Sequence, residues 1–158
     1  MSCDAIALSA MLWLASASPE AAAAPKTSTL ASAPVSVAQE PLFADIVGRA
    51  GALKAQVEAW KGVTGDLPGF EGFKSRLGEL AALDMKANKL LAERGTDGDL
   101  KCILRGIAQD LPVRLAEVET AADAKARDNA LREMGWLLRD NVEVITTPPV
   151  VSSGVAGT

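Results

Sequence analysis

The chain has 158 residues, a formal net charge of −4, and neither histidine nor tyrosine. Because nucleic-acid binding depends on clustered Lys and Arg, which this acidic chain lacks, we expect no nucleic-acid partner. The absence of histidine removes the usual general base, the commonest zinc ligand and every Ser-His-Asp or Cys-His site, so we predict a protein that is not an enzyme and that holds no metal or cofactor.

The N-terminal segment resembles an export signal. An apolar run over residues 5–15 is followed by the small-residue pattern Ala-Ser-Ala, which fits signal peptidase. We therefore predict that residues 1–17 are a signal peptide and that the protein is periplasmic or secreted. Asp4 stands where a basic residue is usual, so a retained N-terminal anchor is the alternative. The run is shorter than the roughly 20 apolar residues of a membrane span, so no span is expected after cleavage.

Two stretches with apolar residues at spacings of three and four predict the first two helices. The first begins at Pro41, a residue suited to a first helical turn, and ends before the glycine-rich turn of residues 62–69. The second runs from about Pro68 to Arg94, and Gly95 is the left-handed residue that ends it. Their predicted core residues are Phe43, Ile46, Ala50, Leu53, Val57 and Trp60, then Phe73, Leu77, Leu80, Ala87 and Leu91.

Two further amphipathic helices follow. Thr96 and Asp99 have the spacing of a capping box, which predicts that the third helix starts there. Pro112 lies inside this helix and predicts a bend. The fourth helix begins after a break at which Thr120 or Asp123 can cap it. The predicted core residues are Leu100, Leu104, Ile107, Leu111, Leu115 and Val118 in the third helix, and Ala130, Leu131, Met134, Leu137, Leu138, Val142 and Ile145 in the fourth.

Four helices joined by short connections predict an all-α fold, an antiparallel up-down-up-down four-helix bundle over residues 41–145. Residues 18–40 are predicted to be a disordered linker, because their alanine, proline and serine bury too little apolar surface to offset the entropy of ordering. Paired prolines end the fourth helix, and residues 146–158 are predicted to be a flexible tail.

Three polar residues fall on apolar helix faces: Asp84 and Asn88 in the second helix and Asn141 in the fourth. Folding the helices along their loops brings them to similar heights, which predicts a buried polar cluster. One interpretation is a binding site for a small ligand, an ion or a proton, in which the carboxyl has a raised pKa. The other is a polar layer that fixes helix register, or a bundle open enough to hydrate these groups.

Four other residues are candidates for binding. Arg114 and Arg127 lean toward apolar faces and form a candidate anion site, although arginine stems lying along a core edge are the ordinary alternative. Cys102 is predicted to form an intermolecular disulfide in an oxidising compartment; the alternative is a half-buried thiol without a role. Trp136 falls on the polar side of the fourth helix, which favours a protein interface, although single exposed apolar residues are common.

These observations together predict a non-enzymatic, exported bundle protein of the bacterial envelope, structural or stress-related. We expect it to bind an unidentified envelope protein, or a second copy of itself as a homodimer, through its outer helical faces. The alternative function is a small-ligand or ion sensor that uses the polar cluster around Asp84.

Overall fold

A computed structural model describes residues 37–95 and 98–147. The elements in these ranges are a short 3-10 helix, Val37–Gln39, and four α-helices: α1 Pro41–Ala59, α2 Phe70–Arg94, α3 Gly98–Glu119 and α4 Ala124–Thr146. No strand occurs in either range. The predicted all-α fold with four helices is therefore confirmed. The predicted signal peptide, most of the linker and the tail after residue 147 lie outside the described residues.

The four helices surround one core in chain order. α2 packs on α3, α3 on α4, α4 on α1, and α1 on α2, the last pair meeting least extensively. The backbones of α2 and α4 do not approach each other, and neither do those of α1 and α3, so these pairs lie on the diagonals of the bundle. The short connections at residues 60–69 and 120–123 make consecutive helices antiparallel.

The predicted apolar stripes meet in this core. Most of their residues are buried, and Leu115, Leu137 and Val142 are half-buried at its edge. Burying a large aliphatic or aromatic side chain contributes about 2 kcal/mol, so these stripes supply most of the stabilisation. The largest fully buried side chains are Phe43, Phe73, Ile46, Leu53, Leu77, Leu80, Leu91, Leu104, Leu111, Met134, Leu138 and Ile145.

Local signals set the helix ends. α2 begins at Phe70, slightly later than predicted, because Gly69 before it is left-handed with φ 71°. Gly95 ends α2 with φ 65°, as predicted. Asp123 is the residue that caps α4, since its Oδ1 accepts a hydrogen bond from the Ala126 amide at 2.7 Å. Asp123 thus pairs a first-turn amide that has no partner within the helix, and the left-handed glycines set the two ends of α2.

The start of the described chain and the third helix differ in detail from the prediction. The 3-10 helix lies within the segment predicted as linker, and its Val37 and Ala38 pack against the core. α3 begins at Gly98, and Thr96 of the predicted capping box lies outside the described residues. The helix continues through Pro112 to its end, in agreement with the prediction that the proline does not stop it, and the predicted bend stays a prediction.

An aromatic cluster closes the bundle beneath the α1–α2 loop. The rings of Trp60 and Phe73 meet edge to face with centroids 4.8 Å apart, and Phe70 packs 5.8 Å from Trp60. The indole Nε1 of Trp60 donates a 3.1 Å hydrogen bond to the Pro68 carbonyl. Since Trp60 ends α1 and Pro68 precedes α2, this bond holds the two ends of the loop together.

Polar contacts along the outside join α1 and α2, the pair with the smallest shared interface. Arg94 makes a bidentate pair with Glu40 at 2.8 Å for each bond. Further up the seam, an arginine on each helix reaches a polar side chain of the other. These two contacts are Arg49 with Glu79 and Arg76 with Gln56.

Candidate functional site

The interior of the bundle contains one polar pair, Asp84 of α2 and Asn141 of α4. Both side chains are 0% exposed, and they are the two buried polar residues of the described chain. The Asn141 amide nitrogen Nδ2 donates a 2.7 Å hydrogen bond to Asp84 Oδ2. Because α2 and α4 are diagonal partners, this bond crosses the core. The predicted proximity of these two residues is thus found in the structure.

Helical periodicity places both residues inward. Asp84 lies between Leu80 and Ala87 on the buried stripe of α2, and Asn141 lies between Leu138 and Ile145 on that of α4. Their neighbours on these faces are apolar, so packing the stripes forces both polar side chains out of water. A buried polar group is costly unless it is hydrogen-bonded, which explains why the pair is formed.

The electrostatics of Asp84 follow from this burial. Removal from water disfavours the charged carboxylate and raises the pKa of Asp84 from 3.8 to about 7, while the hydrogen bond from Asn141 opposes the rise. No charged group contributes to the change in pKa. The carboxyl therefore changes protonation near neutral pH, where an ordinary aspartate is ionised.

Each member of the pair also has an oxygen without a partner. Asp84 Oδ1 and Asn141 Oδ1 are both buried and accept no hydrogen bond from the protein. A buried polar atom left unpaired costs about 1–3 kcal/mol. If Asp84 is ionised, one oxygen of each side chain therefore has no hydrogen bond.

Asn88, the third residue of the predicted cluster, binds elsewhere. It is half-buried, and its Nδ2 donates a 2.7 Å hydrogen bond to the backbone carbonyl of Lys101 in α3. This bond ties α2 to α3 near the start of the latter. The cluster in the core therefore consists of two side chains and not three.

Three cavities of the described chain lie at the end of the bundle that carries the α1–α2 and α3–α4 loops. One of about 370 Å³ is lined by Thr64, Gly65 and Arg127, among others, and another of about 530 Å³ by Arg114 and Glu133. Neither of these, nor a third of about 220 Å³ between α1 and α4, is lined by the core polar pair. A cavity for a small organic ligand beside Asp84 stays a prediction.

Arg127 fastens the α1–α2 loop to α4. Its Nη1 donates to the Gly65 carbonyl and its Nη2 to the Val63 carbonyl, both at 2.6 Å, while its Nε is buried without a partner. Two acidic residues, Glu119 and Asp123, line the same cavity as Arg127. These contacts give Arg127 a structural role.

Arg114, the other member of the predicted anion site, forms an ion pair within α3. Its Nη1 contacts both carboxylate oxygens of Glu117, at 2.9 and 2.7 Å. Arg114 and Arg127 line different cavities, and each is bound to other protein groups. The structure does not bring the two arginines together in one cavity.

Cys102 lies near the start of α3 and is half-buried. It is disulfide-bonded. The only other cysteine of the sequence, Cys3, lies outside the described residues. A disulfide between two copies of the chain stays a prediction.

Trp136 lies on the outer surface of α4, as its position in the sequence predicts. It is 46% exposed. The Arg132 guanidinium lies over its ring, 5.6 Å from the centroid, a cation–π contact worth roughly 0.5–1 kcal/mol at an exposed site. Arg139 and Asp140, one turn on, are about half exposed and bind each other at 2.8 Å. The indole therefore stands among charged groups.

Comparison of the chain with protein-family models, with curated proteins and with solved structures finds no match. The described residues contain no group of three or more acidic, histidine or cysteine side chains placed to hold a metal ion. Among the same residues, no helix has both the length and the apolarity needed to cross a membrane.

Two sets of contacts in the structure were not predicted from the sequence. The hydrogen bonds from Arg127 to the loop carbonyls and from Asn88 to Lys101 both end on backbone oxygens. Every residue carries such an acceptor, so the sequence contains no signal for which one is used. The nearest sequence signal for such a bond is a polar residue at the edge of a helix that faces a glycine-rich loop.

Proposed function

We propose that this chain is an exported, non-enzymatic protein of the bacterial envelope that binds another protein through the outer face of α4. The observation that carries the proposal is the exposure of Trp136, which is 46% accessible on a helix whose inner face is closed in the core. A chain without histidine also lacks the side chain most often used for acid–base catalysis, which supports a binding role.

The composition around Trp136 supports an interface. Tryptophan and arginine are the residues most enriched among those that dominate binding energy, and here Arg132 stacks on the indole. Protein interfaces typically have an aromatic centre and a polar rim. The charged pair Arg139–Asp140 provides such a rim on the next turn.

The charge pattern of α4 is complementary to itself, so a second copy of the chain is a candidate partner. In an antiparallel pair of α4 helices centred on Trp136, residues equally far before and after it come opposite each other. Arg132 would then face Asp140 of the second copy, and Glu133 would face Arg139, so both contacts unite opposite charges. This pattern supports homodimer formation without excluding an envelope protein of different sequence.

Site-specific photocrosslinking in producing cells tests the interface. A benzophenone amino acid is placed at Trp136 in one variant and at Met85 in a control variant, because Met85 on α2 is similarly exposed at 43%. We expect a discrete crosslinked product from position 136 and none from position 85. Equal products from both positions, or none from either, would contradict the proposed surface.

Charge exchange decides between a second copy and a different partner. Arg132→Asp should abolish a homodimer measured by sedimentation equilibrium, and Arg132→Asp combined with Asp140→Arg should restore it, since the facing charges are again opposite. A chain that sediments as a monomer but still crosslinks at position 136 has a different protein as its partner.

Export is tested separately by cell fractionation and mass spectrometry. We expect a periplasmic or secreted form that lacks residues 1–17, in accord with the apolar run and small-residue pattern of that segment. An intact chain in the cytosol would contradict export and leave the α4 surface to be tested against cytosolic partners.

A further inference from the structure

We propose that Asp84 and Asn141 form a buried binding site for a single proton, in which Asp84 Oδ1 carries the proton and donates it to Asn141 Oδ1. With the existing bond from Asn141 Nδ2 to Asp84 Oδ2, this closes a cyclic pair of a carboxylic acid and an amide. The inference concerns the interior of the bundle and is independent of the α4 surface.

The donors and acceptors of the pair support this assignment of a proton. An ionised aspartate only accepts hydrogen bonds, and the asparagine amide offers one acceptor and two donors. With one amide hydrogen already on Asp84 Oδ2, the remaining oxygen of each side chain is buried and unpaired. Two acceptors cannot bind each other. One proton on the carboxyl converts Asp84 Oδ1 into a donor and can satisfy both oxygens.

Among the described residues, no nearby basic side chain is buried where it could neutralise an ionised Asp84 in place of the proton. The charged side chains on the same and neighbouring helices include Lys86 of α2, Arg49 of α1, Arg105 of α3 and Asp140 of α4, and none of them is buried. Arg49 instead binds Asp45 and Glu79 at the surface. An ionised Asp84 would therefore be a buried carboxylate without a counter-ion, which is strongly unfavourable.

The small number of polar atoms also favours a proton over a metal ion. Calcium, for example, takes about 6–8 oxygen ligands. The pair has two oxygens without a partner, and no other polar side chain of the described residues is buried with them. A proton needs only the one donor and one acceptor that are present.

Proton release would make the site responsive to pH. Burial raises the pKa of Asp84 to about 7, so the cyclic pair is complete in mildly acidic solution and is lost as the pH rises through neutrality. Because the pair links diagonal helices, its ionisation would remove the proposed O–H···O bond between α2 and α4 and leave a charge in the core. The site thus provides a device that loosens the bundle above neutral pH.

Carbon NMR of the full-length wild-type chain tests the protonation directly. The side-chain carboxyl carbon of Asp84, assigned through its own backbone, is followed from pH 4 to pH 9. We expect its shift to titrate with a midpoint near 7, well above the value of about 4 that is usual for an aspartate in water. A midpoint near 4, or a carboxylate at every pH, would overturn the proposal.

A matched pair of variants tests the consequence for the fold. Asp84→Asn replaces the acid by an amide that can form the same cyclic pair without titrating, whereas Asp110→Asn makes the identical change at an exposed site. We expect the melting temperature of wild type and of Asp110→Asn to fall between pH 5 and pH 8, and that of Asp84→Asn to change much less. An Asp84→Asn protein that keeps the wild-type pH dependence would overturn the proposal. Should Asp84→Asn not fold, the wild-type titration decides alone.

Discussion

Asn141 donates its 2.7 Å hydrogen bond to a carboxyl 57 residues earlier in the chain, that of Asp84 on the diagonally opposite helix. The bond connects two helices whose backbones make no contact with each other. It is therefore a polar link across an otherwise apolar core, and its strength depends on a group that ionises near neutral pH. Stability and pH should be coupled through it.

The wild-type protein should lose stability as the pH rises from about 5 to about 7. The unfolded chain releases the Asp84 proton near 3.8, whereas the folded chain retains it until about 7, so between these values the folded state binds more protons. At about 1.4 kcal/mol per pH unit, the loss over pH 5 to 7 is about 3 kcal/mol, followed by a plateau. Urea unfolding at fixed pH values measures it.

Measurements above pH 5 separate the loss of stability caused by Asp84 from the gain contributed by other carboxyl groups. The pKa of Glu40 is lowered by its hydrogen bonds from Arg94, and the pKa of Glu58 is lowered by Lys61. Carboxyls with lowered pKa values add stability as the pH rises, but this gain is complete once the unfolded carboxyls have ionised, near pH 5. Constant or rising stability from pH 5 to 7 would contradict a buried neutral Asp84.

Replacing Asn141 by leucine should destabilise the protein more at pH 8 than at pH 5. The substitution removes the side-chain amide that donates to Asp84, which leaves a buried charge at high pH and a neutral acid at low pH. Leaving a buried acceptor without its donor costs about 1–3 kcal/mol, and more when the acceptor is charged, so we expect a loss of about 3 kcal/mol at pH 8. Chemical unfolding at both pH values measures the difference. Asn129→Leu, at an exposed position of α4, is the control and should change stability by less than about 0.5 kcal/mol at either pH.

Replacing Arg127 by alanine should loosen the α1–α2 loop. The variant loses two charge-assisted hydrogen bonds to the carbonyls of Val63 and Gly65, and a net loss of about 2 kcal/mol is expected. Hydrogen exchange of the amides in residues 61–69 should accelerate. Arg114→Ala breaks only a partly exposed ion pair within α3 and should cost less than about 1 kcal/mol. Equal losses of stability in both variants would contradict the role of Arg127 in holding the α1–α2 loop.

Gly78 within α2 and Gly95 directly after it should respond to alanine in opposite directions. Gly78 is exposed inside the helix, and a Cβ there meets no atom within 4 Å, so Gly78→Ala should stabilise the protein by about 1 kcal/mol. Gly95 has φ 65°, a conformation that costs an L-residue roughly 1–2 kcal/mol, so Gly95→Ala should destabilise it. Thermal unfolding of the two variants measures both effects. A stabilising Gly95→Ala would contradict the left-handed end of α2.

Much of the architecture is determined by the sequence alone, because its causes are local. Apolar residues at helical spacing define the face that each helix buries, and the residues predicted for these faces form the core. Gly95 and Asp123 end and cap their helices through backbone groups a few residues away. The inward positions of Asp84 and Asn141 follow from the same periodicity.

The tertiary structure decides which groups meet. A helical wheel gives the direction of a side chain but neither the axial offset nor the diagonal arrangement of helices, so Asp84 and Asn88 share a face yet bind different helices. Arg127 likewise extends from the edge of α4 to loop carbonyls 62 and 64 residues earlier in the chain. Such partners depend on distances between elements, and backbone acceptors are common to every residue, so only the packed bundle determines them.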